Sequence, residues 1–176
     1  MELILYSDDV KLMRISQQIF PRPVVLVVTV DGRGRENVMP ASFIMPVSFN
    51  PKYLAVAIAP ERHTLSNLME VGEFTANVAT LDMLEQVKVC GSYSGRDVDK
   101  FSMARLSRMP SKKVRPPGIV ESPITFECVV EYTGLFGDHY LVVGRVVEEH
   151  VRSTEFRPLL HYSGDRYMES KDLQKK

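Results

Sequence analysis

Apolar and polar positions alternate most cleanly in KYLAVAIAP, residues 52–60, where Leu54, Val56 and Ile58 point one way and Ala55, Ala57 and Ala59 the other. A period of two predicts a strand, with the larger residues facing the core. The alanine face either lets something flat lie against the strand or meets a large neighbouring side chain. Upstream, FPRPVVLVVTVDGRGREN reads as a β-branched strand: Pro21 and Pro23 block a helix and Asp31-Gly32 supplies a turn. NVMPASFIMPVSFNP is mostly extended, and Pro40 and Pro46 place it at a sheet edge or a bulge. EFTANVAT is a further strand. Two long strands follow, ITFECVVEYT, with Ile124, Phe126, Cys128, Val130 and Tyr132 on one face, and HYLVVGRVVEEHV; Gly137-Asp138 makes the hairpin turn between them.

Helical signals are short. Asp8 or Asp9 caps a first helix running to about Gln18, and Thr64 to Met69 forms another with Gly72 placed to end it. Asp82 with Glu85 reads as a D-x-x-E capping pattern opening a helix through Cys90, and a second short helix follows Asp97. MPSKKVRPPGIVESP is a proline-rich loop expected to be mobile, and ESKDLQKK a frayed polar tail. Six or more strands, without repeats or βαβ alternation, favour a mainly β fold, an antiparallel barrel with short helical insertions. The expected organisation is a single domain over 1–176, with an arm at 1–20 and a tail at 168–176. Such a barrel is narrow, so a nucleotide-sized ligand would sit outside it, in the groove between two copies.

Composition narrows the function. Lys plus Arg and Asp plus Glu both number 22, a balance that argues against a nucleic-acid partner. Lys112, Lys113 and Arg115 read as a solvated loop. The two cysteines, Cys90 and Cys128, fall in different elements and outside any metal-ligand spacing, which suits reduced, packed thiols. The N-terminus turns acidic too soon for a secretory signal, and no apolar run reaches membrane-spanning length. The expectation is a cytoplasmic protein with no membrane partner.

The stretch APERHTLSNL, residues 59–68, carries the candidate chemistry. A helix N-terminus beside a cation is a seat for an anion; equally, Thr64 is a cap for the helix's first N–H groups.

In this setting the run from Pro21 to Ala79 resembles the flavin reductase-like, FMN-binding split-barrel proteins, which include flavin reductases, flavoredoxins and archaeal ferric reductases. The resemblance rests on N-x-x-P-x-S-F at Asn37, Pro40, Ser42 and Phe43, then R-x-T-x-x-N at Arg62, Thr64 and Asn67, then Asn77 in EFTANV. SGRDVDKF, with Lys100 and Phe101, IVESPITFEC and, more loosely, PLLHYSGDRYM extend it. The chain departs from the pattern in lacking tryptophan and in a longer, charged first turn with Arg33, Arg35 and Glu36.

The resemblance implies an antiparallel Greek-key split β-barrel, an FMN cofactor, NADH or NADPH as electron donor and a homodimer. The implied activity is hydride transfer from NAD(P)H to bound flavin and onward to free flavin, ferric complexes or a partner protein; the alternative is an electron-transfer carrier without a nicotinamide site. It places the phosphate on Arg62, His63 and Thr64, with the free N–H groups of Leu65 and Ser66 and a donor from Ser42. The ring falls against Pro40, Ala41, Ser42, Phe43, Ile58 and Ala59. Asn37, Asn67, Asn77 and Lys100 complete the implied set, although Asn37 also reads as a turn residue, Asn77 as a backbone partner and Lys100 as a solvated lysine. His161 either approaches the flavin or a nicotinamide from a second subunit or packs at the surface; His139 and His150 read as turn and strand-end residues. No proton-shuttling triad is expected, since the reactivity belongs to the cofactor.

Overall fold

The computed structural model describes residues 15–171. The proposed Asp8 or Asp9 cap and most of the polar tail lie outside them; within them, α1 covers Ile15–Gln18. Seven strands form one antiparallel sheet in the order β3-β2-β6-β9-β10-β5-β4. These are β2 (Val25–Val30), β3 (Glu36–Ala41), β4 (Ile44–Phe49), β5 (Lys52–Ile58), β6 (Glu73–Val78), β9 (Ile124–Phe136) and β10 (His139–Val151). A second sheet pairs β1 (Arg22–Pro23) with β11 (Leu159–Ser163) and β12 (Arg166–Glu169), and β7 (Arg108–Met109) pairs with β8 (Gly118–Ile119).

The two rims of the large sheet, β3 and β4, are consecutive in sequence and joined only by Ser42 and Phe43. Counting antiparallel pairings around the sheet makes these two strands run the same way. The sheet must therefore curl until its rims meet at that link, without hydrogen-bonding to each other. This is a split barrel. Pro40 lies on one rim and Pro46 on the other, where a missing N–H breaks no central ladder, and the register slips between Pro46 and Ser48.

β2 is buried along its whole length, and apolar but for Thr29, because both its faces are covered. Val25 and Val27 join Val56, Ile58, Phe74, Ala76, Cys128 and Val142 in one core, while Leu26 and Val28 join Val38, Met83, Val87, Phe101, Ile119 and Leu159 in another. Full burial of a side chain such as Phe74 stabilises by roughly 1.5–3 kcal/mol. In β9 the shared face holds from Ile124 to Val130. The register then slips at Glu131, and Tyr132 turns out to half-exposure instead of continuing that face. The hairpin between β9 and β10 turns at Gly137-Asp138, with Gly137 at φ 61.

Helix α2 spans His63–Val71 and ends at Gly72, whose left-handed φ of 70 lets its N–H reach the Leu68 carbonyl. Its N-cap is Arg62 with no side-chain cap bond, so Thr64 is a helical residue and not a cap. The Asp82/Glu85 pattern also fails as a capping box. The chain is already turning in a 3-10 segment at Leu81–Met83, so α3 (Leu84–Ser92) begins after Asp82. Helix α4 (Lys100–Ala104) does follow Asp97, capped by Asp99, whose carboxylate accepts from Ser102 N at 3.2 Å.

The proline-rich loop is tethered, not loose. Glu127, fully buried on β9, accepts from the N–H groups of Lys112 at 2.8 Å and Lys113 at 2.6 Å, and from His150 Nε2 at 2.6 Å. Arg115 pairs with Glu73, and Lys112 Nζ with Glu148. The three basic residues are thus anchors for the loop as much as solvated charges.

Candidate functional site

A cleft of about 480 Å³ opens where the β3–β4 link, the end of β5 and the start of α2 converge. One wall is β3 and the link, from Asn37 through Pro40, Ala41 and Ser42 to Phe43; the floor is Ala57, Ile58 and Ala59. Arg62, His63 and Thr64 close one end, and Gly91–Arg96 with Lys100 form the facing wall. The alternation of β5 explains the floor. Val56 and Ile58 are buried in the core, whereas Ala57 and Ala59 present methyl groups and leave a low surface. Ala55 on the same side is buried against protein, so the small-residue face serves the cleft only at its end.

The α2 end is polarised for an anion. Its first-turn N–H groups at His63 and Thr64 have no acceptor one turn back within the helix. The Leu65 N–H, expected to be free, donates to the Arg62 carbonyl at 3.0 Å, because the helix starts one residue earlier than the sequence reading placed it. Two buried polar atoms on this side, Asn37 Oδ1 and His63 Nδ1, have no hydrogen-bond partner among the described residues. Burial first, then the nearby charges of Arg96 and Arg35, hold the His63 pKa below its ordinary value, so it sits neutral among cations. Arg62 is mostly exposed, with Nε 3.8 Å from Glu61.

Several residues of the expected set are engaged inside the protein, Asn37 and Thr64 with each other. Asn77 Oδ1 accepts from Ile119 N and Thr125 Oγ1, and its Nδ2 donates to the Leu26 carbonyl and Thr75 Oγ1. This buried amide ties β6 to three neighbouring segments and does not line the cleft. Asn67, 1% exposed, donates to Thr29 Oγ1 at 3.1 Å and holds α2 on β2. Lys100 does border the cleft but is not solvated: Nζ donates to the carbonyls of Val38 at 2.8 Å and Cys90 at 2.7 Å, bracing the two walls. Burial lowers its pKa. The adjacent Cys90 thiol is pushed up to about 11 by burial, as an inert packed thiol requires.

Most of the facing wall escaped the sequence reading. Gly91, Ser92, Tyr93, Ser94, Gly95 and Arg96 form it with Lys100; the segment SGRDVDKF contributes only Lys100 to the expected set, and the Gly/Ser-rich run ending in arginine at the close of α3 was the available signal. Gly95 is placed where any Cβ would overlap Asn37 Oδ1. His139, read as a turn residue, also borders the cleft, its ring 5.6 Å from that of Phe43. His161 reaches the cleft edge within its own chain, Nδ1 lying 3.1 Å from Ser42 Oγ.

Residues 16–170 match the model of the flavin reductase like domain. The chain belongs to the flavin reductase-like family. An uncharacterized protein of Archaeoglobus fulgidus is 37% identical to this flavin reductase-like chain over 131 residues, 74% of this chain and 73% of that one. A flavin reductase of Pseudomonas putida is 33% identical over 150 residues, covering 82% and 81% respectively. Among solved structures, the FMN-binding protein of Thermus thermophilus with bound 1-cyclohex-2-enone superposes with a TM-score of 0.81 at 25% identity, over 91% and 92% of the two chains. The flavin reductase-like fold and the cleft agree on flavin: an apolar floor, an anion-ready helix end and orphaned polar atoms fit a flat heterocycle with a phosphate tail. Among the described residues no helix is long and apolar enough to cross a membrane.

Proposed function

We propose that the cleft binds FMN and that the protein is an NAD(P)H-dependent flavin or ferric reductase. The observation that carries this reading is the open α2 N-terminus, with the unpartnered His63 Nδ1 and Asn37 Oδ1 beside Arg62 and Lys100. When bound, flavin supplies the hydride-accepting ring. The protein's part is positional. Arg62 and the N–H groups of His63 and Thr64 hold the phosphate. Ala57 and Ala59 give the ring a flat seat, and Pro40 to Phe43 border its edge. The backbone carbonyls of Phe43 and Ala59 each accept one bond, from Ala57 N and Arg62 N, and keep a second lone pair. Asn67 and Asn77 act through the scaffold, and Lys100 acts by bracing the walls.

A carrier without its own nicotinamide reaction would follow from a loop folded over the ring. The 111–118 segment does not border the cleft and is bound to Glu127 and Glu73 instead, which supports the reductase. We also infer a homodimer. Rim strand β4 leaves Met45, Val47 and Phe49 exposed, the last at 94%, as apolar surface at the rim that a second copy would bury. A soluble cytoplasmic setting suits this reading.

The test is anaerobic mixing of FMN-loaded protein with NADH or NADPH while following absorbance of the oxidised flavin. Rapid bleaching with either donor supports the reductase. Persistent colour with both, but bleaching by dithionite or a reduced partner protein, assigns it to the carriers.

A further inference from the structure

Ser42 lies in the two-residue link between β3 and β4 and borders the cleft. Its Oγ is 3.1 Å from His161 Nδ1. On the other side of the ring, His161 Nε2 lies 3.0 Å from the Gly164 carbonyl oxygen, while Arg22 Nη2 approaches Nδ1 at 3.4 Å. A carbonyl oxygen can only accept and a guanidinium can only donate. The carbonyl calls for a proton on Nε2, and the guanidinium beside Nδ1 favours a bare lone pair there, shared between Arg22 and Ser42. Tyr167 packs against the ring with centroids 5.4 Å apart and limits its rotation.

The consequence falls on Ser42. With Nδ1 bare, the serine hydroxyl gives its single proton to the histidine, and only oxygen lone pairs are left for the cleft. A free serine hydroxyl would rotate to suit donor or acceptor alike; this one is held in a single polarity. On this reading Ser42 faces the cleft as an acceptor, where the family resemblance implied a donor.

We propose that His161, acting through Ser42, makes this edge of the cleft a hydrogen-bond acceptor that selects a ligand presenting an N–H group there. Ser42 is the contact and His161 the positioning residue. The inference rests on the reading of the cleft as a flavin site, where two sources of the N–H fit: the imide of the flavin ring and the carboxamide of a nicotinamide. An analogue lacking the donor leaves Ser42 facing a group it cannot pair with, which costs affinity.

Two measurements test this. In full-length protein labelled with ¹⁵N-histidine and free of ligand, the imidazole spectrum of His161 should show Nε2 protonated and Nδ1 bare, with Nδ1 shifting in Ser42→Ala. A protonated Nδ1 overturns the proposal. Fluorescence titrations then compare FMN with N3-methyl-FMN and, on FMN-loaded protein, NAD⁺ with its nicotinic acid counterpart. At least one pair should differ by about 3- to 10-fold, the worth of one hydrogen bond. That ratio should fall to near unity in Ser42→Ala and His161→Leu. It should recover in His161→Asn, whose amide oxygen can take the place of Nδ1. Ratios unchanged in Ser42→Ala for both pairs overturn the inference and leave the flavin site standing; failure of FMN to bind the unaltered protein removes both.

Discussion

Asn37 Nδ2 donates to Thr64 Oγ1 at 2.7 Å, so rim strand β3 and the first turn of α2 are latched by one buried hydrogen bond. Both residues are almost fully buried, at 2% and 1% exposed. Thr64→Val keeps the shape and deletes the acceptor, leaving the Asn37 amide unpaired. The expected cost is about 1–3 kcal/mol of stability, read from a urea-denaturation midpoint. FMN affinity should fall as well, and Thr64→Ser should restore both.

Arg62 behaves differently because its side chain is 57% exposed and has only a distant carboxylate neighbour at Glu61. Arg62→Ala should leave the urea midpoint unchanged while weakening FMN by about 1.5–3 kcal/mol, the worth of a charge-assisted contact. Riboflavin, which has no phosphate, should bind the variant and the parent alike. A loss shared by both ligands would place the phosphate elsewhere.

The Glu127 tether makes a pH prediction. Burial pushes its carboxyl up, but His150 and the N–H groups of Lys112 and Lys113 together hold it below its ordinary value. A folded pKa below the unfolded one stabilises the protein above the ordinary carboxylate range, near 4.3, and the gain is lost as pH falls through the folded value. Glu127→Gln should therefore be less stable than the parent at pH 7, with the gap closing toward pH 3. Thermal unfolding of both proteins across that range measures it; a constant gap would show that the carboxylate's charge contributes nothing.

Phe49 on β4 is 94% exposed, and Met45 and Val47 on the same rim strand are exposed as well. Phe49→Asp should convert the inferred dimer to monomer at micromolar concentration, with light scattering as the readout. The far-ultraviolet circular dichroism should not change, because the side chain is almost fully exposed among the described residues.

What could be read from sequence depended on how far apart the partners lie. Pro40 and Pro46 announced rim strands, Gly72 a helix end and Gly137-Asp138 a hairpin, each by a local backbone constraint. The alternation of β5 likewise foretold both the core face and the low floor under the cleft. The cap reading of Thr64 failed because a threonine ahead of an apolar run is a cap by local rules. Its real partner is Asn37, 27 residues away. Asn77, Lys100 and Glu127 were opaque for the same reason: each satisfies or binds backbone groups brought near only by the closed sheet. Family resemblance named Asn77 and Lys100 without distinguishing a scaffold residue from a ligand contact.

The absence of a single methyl group at Gly95 also determines how the site tolerates change. A side chain as small as alanine there would meet the Asn37 amide and push it from Thr64, so a lesion on the far side of the opening would loosen the strand from the helix. Variation at the rim is thus coupled across the gap: what position 95 tolerates depends on the residues at 37 and 64.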